Sequence, residues 1–203
     1  MERLICVLVG YVFGLIQTGY IYGKKNGVDL RKKGSGNAGT TNALRTMGWK
    51  AGAVTLLGDC FKCVAAVVVV HLIYGKTHTD MMPLLSMYAG MGAVLGHNYP
   101  FYLKFKGGKG IAATAGLIIS TTNIWIVLIC LAAFIAIVAA TRYVSLGSMT
   151  VVTIYLISVI VYGQHGGFGV ENVSYLHEMY GVAAFLMILA FWRHRANIKR
   201  LLS

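Results

Sequence analysis

The stretch NIWIVLICLAAFIAIVAAT, residues 123–141, contains no charged side chain. An α-helix needs about 20 mostly apolar residues to cross a hydrocarbon core of about 30 Å. A run of this length without a polar face is typical of a helix surrounded by lipid rather than of one on a soluble domain. The stretch therefore predicts a membrane-spanning helix.

The same pattern recurs along the chain, which has 203 residues, 57% of them hydrophobic and 12% charged. Soluble domains carry about twice that charged fraction. We therefore predict an all-α polytopic membrane protein with one domain, residues 1–203. The segment Ile111–Ser120 is short, so it either crosses as a thin helix or re-enters. The candidate spans are Leu4–Tyr22, Ala51–Tyr74, Pro83–Leu103, Ile111–Ser120, Asn123–Thr141, Leu146–Gly163 and Glu178–Trp192.

The basic residues favour one orientation. Eighteen Lys and Arg against six Asp and Glu give a net charge of +12, which in a membrane protein indicates anionic lipids or phosphorylated substrates. If the short segment crosses, fifteen of the eighteen lie on one side. Because basic loops stay in the cytoplasm, we predict seven transmembrane helices, one short, with the amino terminus outside and the carboxyl terminus cytoplasmic. The four basic stretches are Gly23–Lys50, Lys104–Gly110, Arg142–Ser145 and Arg193–Ser203.

Glycine pairs four residues apart indicate where helices approach closely in lipid. These pairs are Gly10/Gly14, Gly19/Gly23 and Gly92/Gly96. The spacing of Cys60 and Cys63 resembles a redox pair, but it falls within an apolar helix with no preceding strand, so we interpret these cysteines as small packing residues.

The first basic stretch contains GSGNAGTTNALR, residues 34–45. Its glycines allow backbone N–H groups to turn inward around an anion, and its Ser, Thr and Asn side chains add neutral donors. Arg45 can bind a phosphate through two parallel hydrogen bonds. The alternative interpretation is a flexible turn with helix-capping residues.

The second basic stretch is GHNYPFYLKFKGGKG, residues 96–110, directly before the short segment. Lys109 in a glycine-rich turn at a helix N-terminus predicts an anion site, because the helix dipole, free N–H groups and ammonium converge. The spacing does not match a nucleotide P-loop. Lys104 and Lys106 could equally extend their side chains to the interface, and His97 could be a buried, hydrogen-bonded histidine.

Three further groups have alternative interpretations. Arg142 precedes two hydroxyls and could bind substrate or anchor a helix end. In a helix continuing past residue 193, His194 and Asn197 would share one face, whereas Arg195, Lys199 and Arg200 are expected to contact lipid head groups. Asp59 and Lys62 lie three apart inside a span and must face the bundle interior or a wet cavity, as a structural pair or with a direct catalytic role.

Several known catalytic arrangements are absent from the chain. None of its six histidines has Asp or Glu five positions later, so the His-x4-Asp dyad of acyl-CoA-dependent acyltransferases is missing. There is no Gly-x-Ser-x-Gly nucleophile elbow and no zinc-binding helix motif. We expect no metal and no cofactor. What remains is a cationic, donor-rich pocket beside lipid, suited to bringing two anionic substrates together. Its candidate cations are Arg45, Lys109, Arg142 and His194.

Over its whole length the chain resembles the bacterial acyl-phosphate:glycerol-3-phosphate acyltransferase family of the PlsY type, which makes lysophosphatidate at the start of phospholipid synthesis. The resemblance rests on Gly34–Arg45, Gly96–Ala112, Arg142–Ser148 and His194–Leu201, in that order. One departure is Cys63, where the family pattern has a small glycine, and it concerns the packing of the second span.

The resemblance implies a seven-helix fold with its site at the cytoplasmic face of the cell membrane. It implies that the Gly107–Gly110 loop receives the acyl-phosphate head and that its N–H groups stabilise the carbonyl oxyanion. The residues implied to position the two substrates, our catalytic candidates, are Ser35, Arg45, Lys109, His194 and Asn197. The other substrate-binding candidates are Gly34, Gly36, Asn37, Thr41, Asn42, His97, Lys104, Gly107, Gly108, Gly110, Arg142, Ser145 and Ser148.

The implied reaction transfers a fatty acyl group from acyl phosphate to the sn-1 hydroxyl of glycerol 3-phosphate and releases inorganic phosphate. The proton acceptor is either His194 or a substrate phosphate. Expected partners are the two substrates, membrane lipids and a soluble enzyme that makes acyl phosphate, and no nucleic acid. The alternatives are a transporter of a phosphate ester or other small anion, which would need midplane polar groups and an inverted repeat, and a lipid-binding scaffold.

Overall fold

The computed structural model describes all 203 residues, and every regular element is helical. The all-α prediction is confirmed. Short 3-10 turns cover Leu30–Lys32 and Phe101–Leu103. The ten α-helices are α1 (Glu2–Gly14), α2 (Thr18–Lys25), α3 (Thr40–Met47), α4 (Trp49–Tyr74), α5 (Met82–Asn98), α6 (Ile111–Thr121), α7 (Ile124–Thr141), α8 (Val144–Gln164), α9 (Val173–Arg193) and α10 (Arg195–Leu202).

Five helical segments are long and apolar enough to cross a membrane: Glu2–Lys25, which joins α1 and α2, and then α4, α7, α8 and α9. Helix α5 has 17 residues and α6 has 11. At about 1.5 Å per residue, α6 extends only about 16 Å, roughly half the thickness of a hydrocarbon core. The helices thus form a multi-pass membrane protein in which α6 is the short element that the sequence predicts.

Helix α5 lies at the centre of the bundle, packed against α1, α4, α6 and α9. On α1 and α5 the predicted close approach is confirmed at Gly10/Gly14 and Gly92/Gly96. A Cβ atom on Gly14 would lie 2.9 Å from the Cα of Gly96, so no larger residue fits. The pair Gly19/Gly23 packs mainly against the following loop instead, because a Cβ on Gly23 would lie 2.6 Å from the carbonyl oxygen of Val28.

The first predicted span is not one continuous helix, because residues 15–17 separate α1 from α2. Two carbonyl groups freed at this interruption accept hydrogen bonds from other parts of the chain. The Leu15 carbonyl accepts from the Tyr102 hydroxyl at 2.6 Å, and the Ile16 carbonyl accepts from Lys62 Nζ at 2.6 Å. The interruption therefore depends on tertiary contacts.

The third predicted span, Pro83–Leu103, is also shorter than expected, because α5 ends at Asn98. The residue before a proline disfavours the helical region, and Tyr99 before Pro100 has φ −134° and ψ 57°. After the 3-10 turn, Lys104 and the residue after it adopt positive φ. The chain therefore leaves α5 five residues early and forms a compact loop before α6.

Cys63, the departure from the family pattern, lies in the contact between α4 and α6. Helix α4 packs against α6, where a Cβ on Gly116 would lie 3.0 Å from the Cβ of Cys63. A Cβ on Gly116 would also overlap the carbonyl oxygen of Cys60, so Gly116 lets the α4 backbone approach α6 and Cys63 packs beside this contact.

Candidate active site

A cavity of about 950 Å³ lies where the two glycine-rich loops meet the ends of α7 and α9. Its polar lining comes from both loops, the start of α8 and the α9–α10 junction. Its apolar lining continues along α6 as far as Ile119 and back along α7 from Phe134 to Val127. One cavity therefore combines a cationic, donor-rich region with a hydrocarbon-like wall.

The first loop is organised by a single buried side chain, Asn42. Its Nδ2 lies 2.9–3.0 Å from the carbonyl oxygens of Leu30, Lys33 and Asn37, and its Oδ1 accepts from the Ser35 N–H at 2.9 Å. Asn42 reaches the cavity lining, but its amide is already used within the loop. It therefore shapes the loop rather than serving as the predicted free donor for substrate.

Gly34 and Gly36 do not line the cavity, but their backbone conformations allow the loop to turn. Both have positive φ, 59° and 71°, where glycine is favoured. A Cβ on Gly34 would overlap Oδ1 of Asn42. Ser35 lies between them, exposed at the cavity, so the glycines permit the turn that presents it.

The second loop uses its first N–H groups internally. The Gly107 N–H donates to the Asn98 carbonyl at 3.2 Å and the Gly108 N–H to the His97 carbonyl at 3.1 Å. The expectation that these two N–H groups stabilise a substrate oxyanion is therefore wrong. The backbone N–H groups without a protein acceptor are those of Lys109, Gly110 and the first turn of α6.

The carbonyl groups of the same loop are held by Arg193. Its Nη2 donates to the Gly107 carbonyl at 3.0 Å and to the Gly108 carbonyl at 2.6 Å. The guanidinium carbon also lies 5.0 Å from the ring centroid of Tyr99. The loop is thus fixed between the end of α5 and the end of α9, two segments far apart in sequence.

Lys109 lies half-buried at the start of α6 and donates to Oδ1 of Asn197 on α10. Burial, with smaller contributions from Arg200 and Arg193, lowers the pKa of Lys109 to about 8. An ammonium held in a crowded cationic region has an unmet preference for an anion. At the predicted anion site, the Lys109 ammonium therefore lies close to the N-terminus of α6.

His194 ends α9 and begins α10, so the two helices are separate rather than one continuing helix. Its Nδ1 lies 2.8 Å from the Ala190 carbonyl, which can only accept, so Nδ1 carries the proton and Nε2 is a free acceptor. Burial is the main reason that the pKa of His194 is lowered to about 4. His194 is therefore neutral near pH 7, and its prediction as one of the cations of the pocket is wrong. The predicted proximity to Asn197 holds, because both line the cavity.

The ends of α7 and α8 supply the third part of the polar lining. Arg142 is exposed and has φ 63°, a left-handed conformation that ends α7. Ser145 also lines the cavity, and Ser148 does so while its hydroxyl donates to the Val144 carbonyl at 2.8 Å. Arg142 thus faces the same cavity as Lys109, although α6 and α7 separate them in sequence.

Most of the residues predicted from the sequence come together. Those in the lining are Ser35, Asn37, Thr41, Asn42, Arg45, His97, Lys109, Gly110, Arg142, Ser145, Ser148, His194 and Asn197. The predicted residues outside it are Gly34, Gly36, Lys104, Gly107 and Gly108. Lys104 is exposed at the end of the 3-10 turn, where its left-handed backbone closes the loop.

Two arginines in the lining, Arg193 and Arg200, were not among the predicted site residues. Arg200 was expected to contact lipid, yet it lies three residues after Asn197, and that helical spacing could have identified it. Arg195 lies over the Trp192 ring at 4.7 Å and is outside this cavity. For Arg193 the sequence carries no comparable signal.

The lining contains one carboxylate, Asp59, and it is paired with Lys62 at 2.8 Å. No group of three or more His, Cys, Asp or Glu side chains is placed to hold a metal ion. The other charged groups of the lining are all cations. The cavity can therefore bind and orient anions through cations, hydroxyls and free N–H groups.

Comparisons with known proteins address the family of the chain. A family model described as glycerol-3-phosphate acyltransferase matches residues 4–203. A glycerol-3-phosphate acyltransferase of Clostridioides difficile (strain 630) is 43% identical over 201 residues, covering 98% of this chain and 92% of that protein. One of Bacillus subtilis (strain 168) is 37% identical over 200 residues, covering 97% of this chain and 92% of that protein.

Solved structures give the same result. A crystal structure of PlsY, an integral membrane glycerol 3-phosphate acyltransferase, in its glycerol 3-phosphate form has a TM-score of 0.83 and 31% identity. Its lysophosphatidic acid form has a TM-score of 0.81 and 30% identity. Each alignment covers 100% of this chain and 92% of the other. The fold, the four motifs and the family match over residues 4–203 together identify the chain as a member of the glycerol-3-phosphate acyltransferase family.

Proposed function

We propose that the protein transfers a fatty acyl group from acyl phosphate to the sn-1 hydroxyl of glycerol 3-phosphate, giving lysophosphatidate and inorganic phosphate. The observation that carries this proposal is the single cavity in which cations and free donors adjoin an apolar wall. The relatives bear the acyltransferase name, and the related PlsY was solved in glycerol 3-phosphate and lysophosphatidic acid forms.

The electrostatics of the cavity suit two phosphorylated substrates. Two phosphate dianions about 5 Å apart would repel by roughly 13 kcal/mol at an effective dielectric constant of about 20. Binding both therefore requires several cations in one place. The cavity offers Arg45, Lys109, Arg142, Arg193 and Arg200.

The shape of the lining supports a placement for each substrate. We assign the acyl-phosphate head to the α6 N-terminus and Lys109, because the apolar wall begins there with Ile111 and continues along α6 and α7. Glycerol 3-phosphate then takes the Ser35 and Arg45 side, where the lining is polar. This arrangement sets the glycerol hydroxyl beside the acyl carbonyl.

The reaction then needs positioning more than a strong nucleophile. The glycerol oxygen attacks the acyl carbonyl carbon, the bond from that carbon to the phosphate oxygen breaks, and the hydroxyl proton ends on the departing phosphate. An acyl phosphate is a mixed anhydride with a good leaving group, so orientation and charge stabilisation account for the catalysis. Candidate oxyanion donors are the N–H groups of Lys109 and Gly110, which have no acceptor in the protein.

The proton acceptor in this scheme is a substrate phosphate. Glycerol 3-phosphate is a phosphate monoester with a second pKa of about 6, so its phosphate can take the hydroxyl proton and pass it to the departing phosphate. The pKa of His194 is lowered to about 4, mainly by burial. The phosphate is therefore the stronger base. His194 would accept a hydrogen bond from the glycerol hydroxyl through Nε2 and orient it.

We further propose seven membrane crossings with the site facing the cytoplasm. Arg142 lines the same cavity as Lys109, which fits α6 leading across the bilayer and α7 returning. The fifteen basic residues then share the cytoplasmic side. Acyl phosphate is reactive, so a soluble acyl-phosphate-forming enzyme is the expected supplier.

The test is release of inorganic phosphate from palmitoyl phosphate by the purified protein in lipid, with and without glycerol 3-phosphate, and with palmitoyl-CoA as a parallel donor. We expect release that depends on glycerol 3-phosphate and a lysophosphatidate product. Turnover with palmitoyl-CoA but not with palmitoyl phosphate would support acyltransferase activity and contradict acyl phosphate as the donor. No turnover with either, from a folded sample, would favour the transporter alternative.

A further inference from the structure

A buried ionic cluster behind the glycine loop has no role in the reaction as described so far. Lys62 on α4 is 2% exposed and Asp59, one turn earlier, is 1% exposed. Lys62 Nζ lies 2.6 Å from the Ile16 carbonyl oxygen, 2.8 Å from Asp59 Oδ1 and 2.8 Å from His97 Nδ1. An ammonium has three donors and no acceptor, and here each donor has one partner.

With Lys62 protonated, this geometry favours one tautomer of His97. Its Nδ1 also lies 3.5 Å from Asp59 Oδ1, which is longer than a normal hydrogen bond, so Lys62 at 2.8 Å is the partner of Nδ1. The Ile16 carbonyl and the Asp59 carboxylate can only accept, so they take two of the three ammonium protons. The third points at His97 Nδ1, which must therefore offer its lone pair. The imidazole is then neutral, and its proton is on Nε2.

The Nε2 edge of His97 is directed to the cavity. His97 lines the cavity. Its Nε2 has no hydrogen-bond partner in the protein and is not fully buried. A Cβ on Gly108 would overlap Nε2. Gly108 does not have positive φ and its N–H bonds the His97 carbonyl, so this position requires glycine for space.

We propose that His97 donates a hydrogen bond from Nε2 to a phosphate oxygen of bound substrate, and that Asp59 and Lys62 are positioning residues that hold it in the donating tautomer. The proposal rests on the proposed acyl transfer and adds a donor to it. Gly108 keeps Nε2 accessible, and Lys109 next to it supplies the charge.

The two histidines of the cavity then have opposite roles. His194 has its proton on Nδ1, bonded to the Ala190 carbonyl, and presents Nε2 as an acceptor. His97 accepts at Nδ1 and presents Nε2 as a donor. The glycerol hydroxyl, which must lose a proton, needs an acceptor such as His194 Nε2. A substrate phosphate, which must be held, needs a donor such as His97 Nε2.

The first test compares two substitutions of His97 in the acyl-phosphate assay. His97→Gln places an amide N–H near the position of Nε2, whereas His97→Asn can accept from Lys62 but cannot reach the cavity. We expect His97→Asn to lose about 10- to 100-fold in kcat/KM, as for a lost hydrogen bond to a charged group, and His97→Gln to retain most activity. His71→Asn, on an exposed histidine of α4 outside the cavity, is the control.

A purely structural His97 predicts the reverse, because asparagine preserves the contact with Lys62. Wild-type activity in His97→Asn, or equal losses in both variants, would overturn the proposal. Failure of this proposal can be told apart from failure of the proposed function. An inactive wild-type protein would contradict the proposed function, whereas the comparison of the two His97 variants tests only the donor role.

The second test reads the tautomer directly and does not need turnover. In ¹⁵N-histidine-labelled protein in lipid nanodiscs, the His97 signals, assigned by their loss in His97→Asn, should have the Nε2–H pattern. The Nε2–H resonance should shift on addition of inorganic phosphate. A predominant Nδ1–H form, or no shift with saturating phosphate, would refute the donor role.

The positioning role has its own variant. Replacing only Lys62 would leave Asp59 as a buried, unpaired charge, so the variant combines Asp59→Leu with Lys62→Met. We expect a mixed population of His97 tautomers and about a tenfold fall in kcat/KM. Retention of the pure Nε2–H form and of full activity would remove Asp59 and Lys62 from the proposal.

Discussion

Replacing Arg193 by lysine keeps the positive charge at the end of α9 but removes the planar group that holds the glycine loop. In the structure one guanidinium nitrogen donates to the Gly107 carbonyl at 3.0 Å and the Gly108 carbonyl at 2.6 Å, and the group lies over Tyr99. A lysine ammonium can replace one of these hydrogen bonds. It cannot replace both together with the stacking.

The expected loss follows from these contacts. A net hydrogen bond from a charged donor contributes about 1.5–3 kcal/mol, and an exposed cation–π contact contributes about 0.5–1 kcal/mol. Losing one bond and the stacking therefore removes at least about 2 kcal/mol. If this free energy holds the loop in its competent conformation, kcat/KM falls by about 30-fold, since each 1.4 kcal/mol is tenfold.

The assay is phosphate release from palmitoyl phosphate that depends on glycerol 3-phosphate, with thermal unfolding measured in the same lipid. Arg195→Lys is a matched control, because Arg195 also stacks on an aromatic ring, Trp192, and donates to that residue's carbonyl, but does not touch the loop. The control should stay within about twofold of wild type. Arg193→Lys with wild-type kcat/KM would refute the inference that Arg193 fixes the loop.

Four other predictions concern single positions. Arg200→Ala should raise the KM for a phosphorylated substrate about tenfold, because Arg200 lines the cavity, while Lys199→Ala, on a residue outside the lining, should leave it unchanged; equal effects would place Arg200 with the lipid-contacting residues. Burial lowers the pKa of Lys109 to about 8, so its ammonium loses its proton above that pH and the KM for acyl phosphate should be about tenfold higher at pH 9 than at pH 7; a KM constant over this range would contradict the anion-binding role. His194→Gln should keep turnover within about tenfold when single turnovers are measured, and a fall of about a thousandfold or more would instead make His194 an obligatory base. Cys130→Phe, in the apolar lining, should reduce kcat/KM for palmitoyl phosphate much more than for octanoyl phosphate, whereas equal reduction for both donors would place the acyl chain elsewhere.

The all-helical, multi-pass character of the chain was predictable because it depends on local composition. A run such as residues 123–141 needs no tertiary information to be assigned as a helix in lipid. The glycine-rich loops were also recognisable, since Lys109 between glycines before an apolar helix has few other interpretations. The helical spacing of Asn197 and Arg200 is visible in the sequence, yet the prediction placed Arg200 against lipid head groups.

What could not be predicted depends on partners distant in the sequence. Nothing near Gly107 and Gly108 indicates that their N–H groups bond the end of α5 and their carbonyls bond Arg193. Likewise, the sequence suggests that the Asn42 side chain is free to donate to a substrate. Only the folded loop shows that its amide is hydrogen-bonded to the loop backbone. Hydrogen-bond assignment of this kind is a property of the assembled fold.

The interruption between α1 and α2 has a consequence for assembly in the bilayer. The carbonyls of Leu15 and Ile16 receive their hydrogen bonds from Tyr102 and Lys62, which are synthesised later. In lipid an unsatisfied carbonyl costs several kcal/mol, so the newly inserted amino-terminal segment is most stable as one straight helix. The bend is stabilised only once Lys62 and Tyr102 dock, so we expect this part of the site to be completed late in membrane insertion.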